Sequence, residues 1–281
     1  MISVCTLVRG REGHLAQLLA GIARQTQAPD EVVIAYMQDA APTGLPDPGV
    51  RVCEVFVPGD PMPLARARNA AAAAAEGDTL IFLDVDCIPS PTLVERYAAV
   101  LADAPGVYLG EVRYLPPGPV DPAALPYIGQ RHPAKPALAD AEVRPVPSHG
   151  ELWGLSFALP RSAWDAAGGM DEGYVGYGAE ETDFAWRLHA AGVPMAWVGG
   201  AVAWHQHHAV HVPPLHQFDP ILRNAARFRE RWGRWCMDYW LGQFADAGLI
   251  RWTPDATAIE RLRDPTPAEI AASRRWDALF S

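Results

Sequence analysis

No apolar run in this chain of 281 residues approaches the roughly 18 residues of a membrane-spanning helix. The first residues, MISVCTLVRGREGHL, carry charge too early for a secretory signal. The four cysteines, Cys5, Cys53, Cys87 and Cys236, are not close-spaced and suggest neither a zinc ribbon nor a disulfide framework. Cys5 and Cys53 sit in apolar runs and read as buried thiols of a reducing compartment. No GxGxxG follows the first strand pattern, so the usual dinucleotide fold is unsupported, and no internal repeat is visible. Positive charge is also short. A formal net charge of −10 argues against a nucleic-acid or anionic-membrane surface, while leaving room for a local basic pocket for phosphate. These absences leave a soluble cytoplasmic enzyme as the expectation.

With 20% charged and 49% hydrophobic residues, the chain has ordinary globular composition, enough for one large domain or two modest ones. Residues 2–8, 31–36, 51–57 and 79–84 are continuous apolar runs of strand length, rich in Val and Ile. Strands covered on both faces look this way, so the pattern predicts an α/β fold with a mostly parallel central sheet flanked by helices. Leu15, Leu18, Leu19 and Ile22 fall on one helical face, the Ala-rich stretch 64–75 supplies a second helix, and Ser90–Pro91 reads as the start of a third. Residues 115–147 are crowded with proline and lack either period; so long a loop is usually functional. Further helices are expected over 180–192 and from Pro220 to about Ala247, with a strand over 195–204 between them.

Four groups carry chemistry. Asp84 and Asp86 follow a buried strand at the place where open parallel sheets bind ligands. Side chains alternate in extended backbone, so both carboxylates face one way and Val85 the other. A hard divalent cation bridged to phosphate would satisfy both; the plainer reading is an acidic helix-capping turn. WHQHHAVH places His205, His207, His208 and His211 beyond a strand, and His205 and His207 share a face if that strand continues. In GYGAEETDFAWRL, Glu180, Glu181 and Asp183 fall in a helix's first turn, where capping explains acids, but the glycine-rich lead-in suits a close approach to a ligand. Arg9, Arg11, Arg66 and Arg68 near strand ends suit diphosphate oxygens, solvated charge being the plain alternative.

Taken together, these residues resemble nucleotide-sugar glycosyltransferases of the GT-A (Rossmann-like) fold, broadly family 2 and more closely the β-1,4-galactosyltransferase group. VRGREGHL (8–15) resembles that group's nucleotide-binding segment, DVDCIP (84–89) its metal motif, and GYGAEETDFAWRL the segment holding its catalytic acids. The resemblance runs from residue 1 to about 210. It implies manganese (or magnesium) on Asp86 and His205, with His207 the alternate. It implies a UDP-sugar donor met by Arg9, Arg11, Tyr36, Gln38, Arg68, Asn69, Asp84, Val85 and Asp86. Glu181 falls where the family keeps its catalytic base, though the family has Asp there, and Glu180 where it keeps an acceptor-binding acid. Tyr177 replaces a tryptophan that closes over the donor sugar, with Gly178 and Trp153 the remaining sugar-contacting candidates. Where family 2 members often read uracil with an Asp pair, this chain has AYMQD (35–39), so Tyr36, Gln38 or Asp39 takes that place.

The expected activity is metal-dependent, inverting transfer of a sugar to a hydroxyl of a carbohydrate or glycoconjugate. The alternatives are a non-catalytic nucleotide-sugar or carbohydrate binder, and a sugar nucleotidyltransferase, whose Gly-rich triphosphate loop LVRGREGH lacks. The expected layout is a domain over 1–250, with a donor half to 114 and an acceptor half from 115, then a tail over 251–281. The Trp-rich stretch with Trp232, Trp235 and Trp240 reads as packing on the domain; a second reading lays it on the inner face of a membrane.

Overall fold

The runs 2–8 and 31–36 have no polar face to turn to water, and both become inner strands. The computed structural model describes residues 1–279. In it β1 (Ile2–Val8), β2 (Glu31–Tyr36), β3 (Arg51–Phe56) and β4 (Thr79–Leu83) lie parallel in the order β3-β2-β1-β4. The sheet then becomes mixed. β5 (Cys87–Pro89) leaves β4 for the far edge, and β6 (Val107–Tyr114) runs inside it. β7 (Gln130–Arg131) and β8 (Val143–Pro145) come from the proline-rich segment and add short antiparallel pairings to it. β9 (Ser156–Pro160) fits antiparallel between β4 and β6, and β10 (Met195–His205) lies between β6 and β5. Strands from before and after residue 114 therefore interleave in one sheet.

Each sheet face has its own core. On one, Leu15, Leu18, Leu19 and Ile22 of α1 (Glu12–Ile22) pack with Val4, Val32 and Ile34. On the other, α2 (Leu64–Ala74) brings Ala65, Ala67 and Ala71 against Cys5, Val33 and Phe82. Its small side chains let the helix lie close to the sheet, which seats Arg68 deep in the fold. α3 (Leu93–Asp103) joins α1's face, while α4 (Arg161–Ala167) and α5 (Glu180–Ala190) join α2's. Stacking of Phe82 on Phe157 and on Trp164, each at 4.9 Å between centroids, ties these layers together. The third helix starts at Leu93 after Thr92 rather than at Ser90–Pro91, because the unexpected β5 occupies residues up to Pro89.

The single helix expected from Pro220 to Ala247 is two. α6 (Phe218–Trp232) ends at Gly233, whose φ of 68° is the left-handed stop that glycine favours. α7 (Asp238–Asp246) then starts a new direction. The tryptophans face protein: Trp232 Nε1 donates to Asp183 at 2.8 Å, Trp235 Nε1 to the Ala256 carbonyl at 2.9 Å, and Trp240 lies against Tyr177. Among the described residues no helix is long and apolar enough to cross a membrane. Beyond β11 (Val210–His211), the tail forms a hairpin of β12 (Ile250–Arg251) with β13 (Glu260–Arg261), then α8 (Pro267–Ser273). It returns as β14 (Arg274–Arg275), paired antiparallel with β11.

Candidate functional site

The site begins where β4 runs out. The Cys87 amide donates to the Asp84 carbonyl at 2.9 Å, so residues 84–87 turn tightly and feed β5. β5 pairs with the end of β10 in a register that sets Cys87 opposite His205, and the Gln206 amide donates to the Asp86 carbonyl at 2.7 Å. This pairing is what carries an imidazole 119 positions away in sequence onto the Asp86 carboxylate. His205 Nε2 lies 3.4 Å from Asp86 Oδ1, and His208 Nε2 lies 3.4 Å from Oδ2. One ligand atom from each of Asp86, His205 and His208 falls within 4.8 Å of the others. Asp86 Oδ1 is buried and accepts no hydrogen bond. A carboxylate with two imidazoles is a donor set suited to manganese and similar divalent ions, and the orphaned oxygen is what such an ion would satisfy. Burial opposes the Asp86 charge, but His205, His208 and Arg11 outweigh it and hold the carboxyl well below the usual range. Burial pushes His205 down, keeping the neutral, metal-binding imidazole.

His207, the expected alternate, is not part of this group. The strand ends at His205, so period-two alternation stops, and His207 turns to the Trp276 carbonyl at 2.9 Å. His208 takes the position instead.

A second cluster adjoins the first. Arg68, 2% exposed, spans three carboxylates: Glu181 at 2.6 Å, Asp84 at 3.1 Å and Glu180 at 3.4 Å. One cation cannot neutralise three anions. Burial raises Glu181 to about 8; Arg68 opposes the shift, and Glu180 and Asp84 add to it. Burial likewise raises Asp84 to about 6 against the pull of Arg68, with Asp86 adding to the rise. Glu180 Oε2 is buried and unpaired. The acids sit at the start of α5 behind Gly178 at φ 93° and Ala179 at φ 74°, the latter a strained conformation for a residue with a side chain. Gly154 permits the arrangement, since a Cβ there would stand 1.9 Å from Glu181 Oε1. Arg68→Met, which strands buried carboxylates, is expected to cost about 3–5 kcal/mol of stability. Urea unfolding measures this, and an unchanged midpoint would contradict the clamp.

The remaining candidates divide. Arg11 forms an ion pair with Asp86, and Arg9 donates to the Gly59 carbonyl at 3.0 Å from an exposed position. Gln38 accepts from the Gly10 amide at 2.7 Å, bringing the ends of β1 and β2 together, with Asp39 exposed beside it. Tyr36 is fully buried, stacked on Phe56 and donating to Glu54 at 3.1 Å, so its ring is closed to a base. Asn69 is consumed by Met170, whose amide and carbonyl it joins at 2.8 and 2.9 Å, a structural tie rather than a ligand contact. Val85 points into the core. Trp153 is 37% exposed, with the Lys135 ammonium 3.5 Å above its ring centroid. Tyr177 packs on Trp240 at 5.5 Å, and its hydroxyl is raised by burial with Glu181, Glu180, Asp84 and Asp86 contributing. Tyr174 is core, donating to Asp183 at 3.3 Å.

Three residues at the site escaped the sequence reading. Tyr114 lies 4.8 Å from the His205 ring, where β6 runs beside β10. His14 lies 6.2 Å from His208, and burial lowers it to about 4. Gly154 has the role described above. Only His14 left a signal, as part of the GREGHL segment.

Residues 3–124 match the family model described as Glycosyl transferase family 2, and residues 139–211 the model described as N-terminal domain of galactosyltransferase. A validoxylamine A glucosyltransferase of Streptomyces hygroscopicus subsp. limoneus is 27% identical over 223 residues, covering 69% of this chain and 49% of its own length. The chain thus spans about half the length of the curated relatives it matches. Among solved structures, S. aureus TarS 1–349 aligns with a TM-score of 0.57 at 15% identity, covering 81% of this chain and 65% of that one. The same TarS fragment also aligns in its UDP and UDP-GlcNAc complexes. GalNAc-T7 with UDP, GalNAc and Mn2+ aligns at 0.54 and 15%, covering 74% and 43%. These alignments give the chain the GT-A fold.

Proposed function

We propose that this chain, a GT-A fold protein similar in its two parts to family 2 transferases and to galactosyltransferases, transfers a sugar from a UDP-sugar to a hydroxyl of a carbohydrate or glycoconjugate. The observation that carries the reading is the adjacency of two clusters, the Asp86–His205–His208 group and the Arg68-held Glu181, linked by Asp84, which bonds Arg68 two positions before Asp86. The names of similar proteins support the donor class: one is a glucosyltransferase, one was crystallised with UDP-GlcNAc, one with UDP, GalNAc and Mn2+.

Asp86, His205 and His208 would hold the cation. A divalent ion there neutralises charge on the departing diphosphate. Arg11 would turn from Asp86 toward that diphosphate and add a forked donor. Asp84 would face the ribose, and Asp39, exposed beside a Gln38 whose amide is bonded at both ends, would face the base. Glu181 would take the proton of the acceptor hydroxyl as that oxygen attacks the anomeric carbon from the face opposite the leaving group, which gives inversion. Glu180 would orient the acceptor, with Tyr177, Gly178 and Trp153 lining the sugar path. Proton NMR of the product's anomeric centre reads the stereochemistry; a retained configuration would remove Glu181 from this role.

The raised Glu181 has a kinetic consequence. Only its ionised form accepts a proton, so kcat/KM should climb with pH and reach half its plateau near pH 8, far above the ordinary carboxylate range. A pH profile flat from 6 to 9 would contradict this. The donor class is tested by a thermal-shift screen of nucleotide sugars with and without manganese, because a ligand that binds only the folded state raises Tm. UDP-sugars with manganese should give the largest rise; no rise with any nucleotide sugar would overturn the reading. Slow UDP release from a UDP-sugar in the absence of acceptor, stopped by chelator, separates an enzyme from a binder.

A further inference from the structure

Of the two imidazoles at Asp86, only one is held by the sheet. His205 is the last residue of β10, locked by its pairing with β5 and by the Gln206 amide on the Asp86 carbonyl. His208 comes three residues later, in a stretch with no regular structure until Val210. What fixes it lies outside both matched spans. On its N-terminal side His207 Nε2 bonds the Trp276 carbonyl at 2.9 Å. On its C-terminal side β11 pairs with β14, the Val212 amide donates to the Ser273 carbonyl at 2.9 Å, and His211 Nδ1 lies 2.9 Å from Ser273 Oγ. Ser273 is 5% exposed, and α8, which delivers it, begins with a full capping box between Thr266 and Glu269. The two flanks of His208 are thus clamped by one returning segment, and the His208 ring is further oriented by Nδ1 on the Ala209 carbonyl at 3.0 Å.

We propose that residues 266–276 form a strap that holds His208 against Asp86, with His207 as its latch, so that divalent-cation affinity depends on the strap. The inference rests on the metal-site reading above. His207 is a positioning residue: it reaches the strap, and the strap's grip is transmitted to its neighbour. Groups that orient metal ligands typically contribute 10–100-fold to affinity, and a strap that fixes one of three ligands belongs at the lower end of that range.

The test measures Mn2+ binding directly, by the electron paramagnetic resonance signal of free manganese, on the full chain. His207→Ala should weaken binding roughly tenfold. His207→Gln, whose amide reaches about where Nε2 donates, should recover most of it. Deleting residues 274–281 should match His207→Ala, with metal-free Tm reported alongside so that misfolding is visible. The decisive arm is the cycle with His208→Ala. If the strap acts through His208, then His207→Ala adds no further loss in that background. Losses that multiply, or a His207→Ala protein that binds manganese like the parent, would overturn the strap alone. A parent protein that binds no manganese would overturn the strap together with the metal-site reading.

Discussion

Glu181→Gln is expected to lower kcat by roughly 10²–10⁴-fold while leaving UDP-sugar affinity nearly intact, because an amide can accept the Arg68 hydrogen bond but cannot take a proton. The same change should raise stability. In the folded protein Glu181 is raised from its ordinary value of 4.5 to about 8, so between those values the native state holds a proton that the unfolded chain has released. Stability from that proton is complete below about pH 4.5 and is lost as pH rises through 8. Glutamine carries no such charge, so the Tm of the variant at pH 8 should exceed that of the parent, by roughly 2–4 °C for each kcal/mol relieved. The pairing of lost turnover with gained Tm is the signature of a carboxylate kept ionisable in a crowded site for its chemistry. A variant that is inactive and also less stable would indicate that Glu181 serves the fold.

Asp86→Asn should be as severe for a different reason. Asp86 is the one anion in its group, and its carboxylate meets Arg11, His205 and His208 together. An amide keeps the shape, removes the charge, and leaves the Arg11 guanidinium beside two imidazoles with only the more distant Asp84 to oppose it. Metal assistance is worth several kcal/mol of charge stabilisation, and each 1.36 kcal/mol is tenfold, so a loss of about 10³-fold in kcat/KM is expected. The manganese-dependent rise in Tm should disappear as well. The chemical counterpart is removal of the ion: excess EDTA should stop turnover of the parent protein and added manganese restore it. Full activity of the parent in EDTA, or a manganese response surviving in Asp86→Asn, would contradict the assignment.

The acids of the site were legible because they obey local rules. Asp84 and Asp86 end an apolar run, but it is the turn over 84–87, not strand alternation, that sends Val85 into the core, Asp84 to Arg68 and Asp86 to the histidines. Glu180 and Glu181 stand at a helix start after glycines, which a sequence displays directly. Alternation also failed at the histidines. Alternation paired His205 with His207, but β10 stops at His205, and the turn that follows brings His208 back to Asp86. Nothing in HQHHAVH marks that stop, because the segment that forces it lies more than 60 residues on. The sequence presents Arg68 as a diphosphate ligand; its engagement of Glu180 and Glu181, 112 and 113 positions away, depends on how closely an alanine-rich helix approaches the sheet. Tyr36 looked available as the last residue of a strand, yet β3 covers it with Phe56. The break between α6 and α7 was written in the sequence as Trp232-Gly233 and obscured by the hydrophobic residues on either side.

In the proposed mechanism Asp86, His205 and His208 close around one divalent ion that also holds the donor's diphosphate. Anomalous diffraction at the manganese edge, from crystals soaked with manganous chloride and UDP, tests it most directly. A single strong peak bonded to Asp86 and the two imidazoles, with diphosphate oxygens completing its coordination, is the predicted result. UDP bound in the cleft with no anomalous density between Asp86 and those histidines would contradict it.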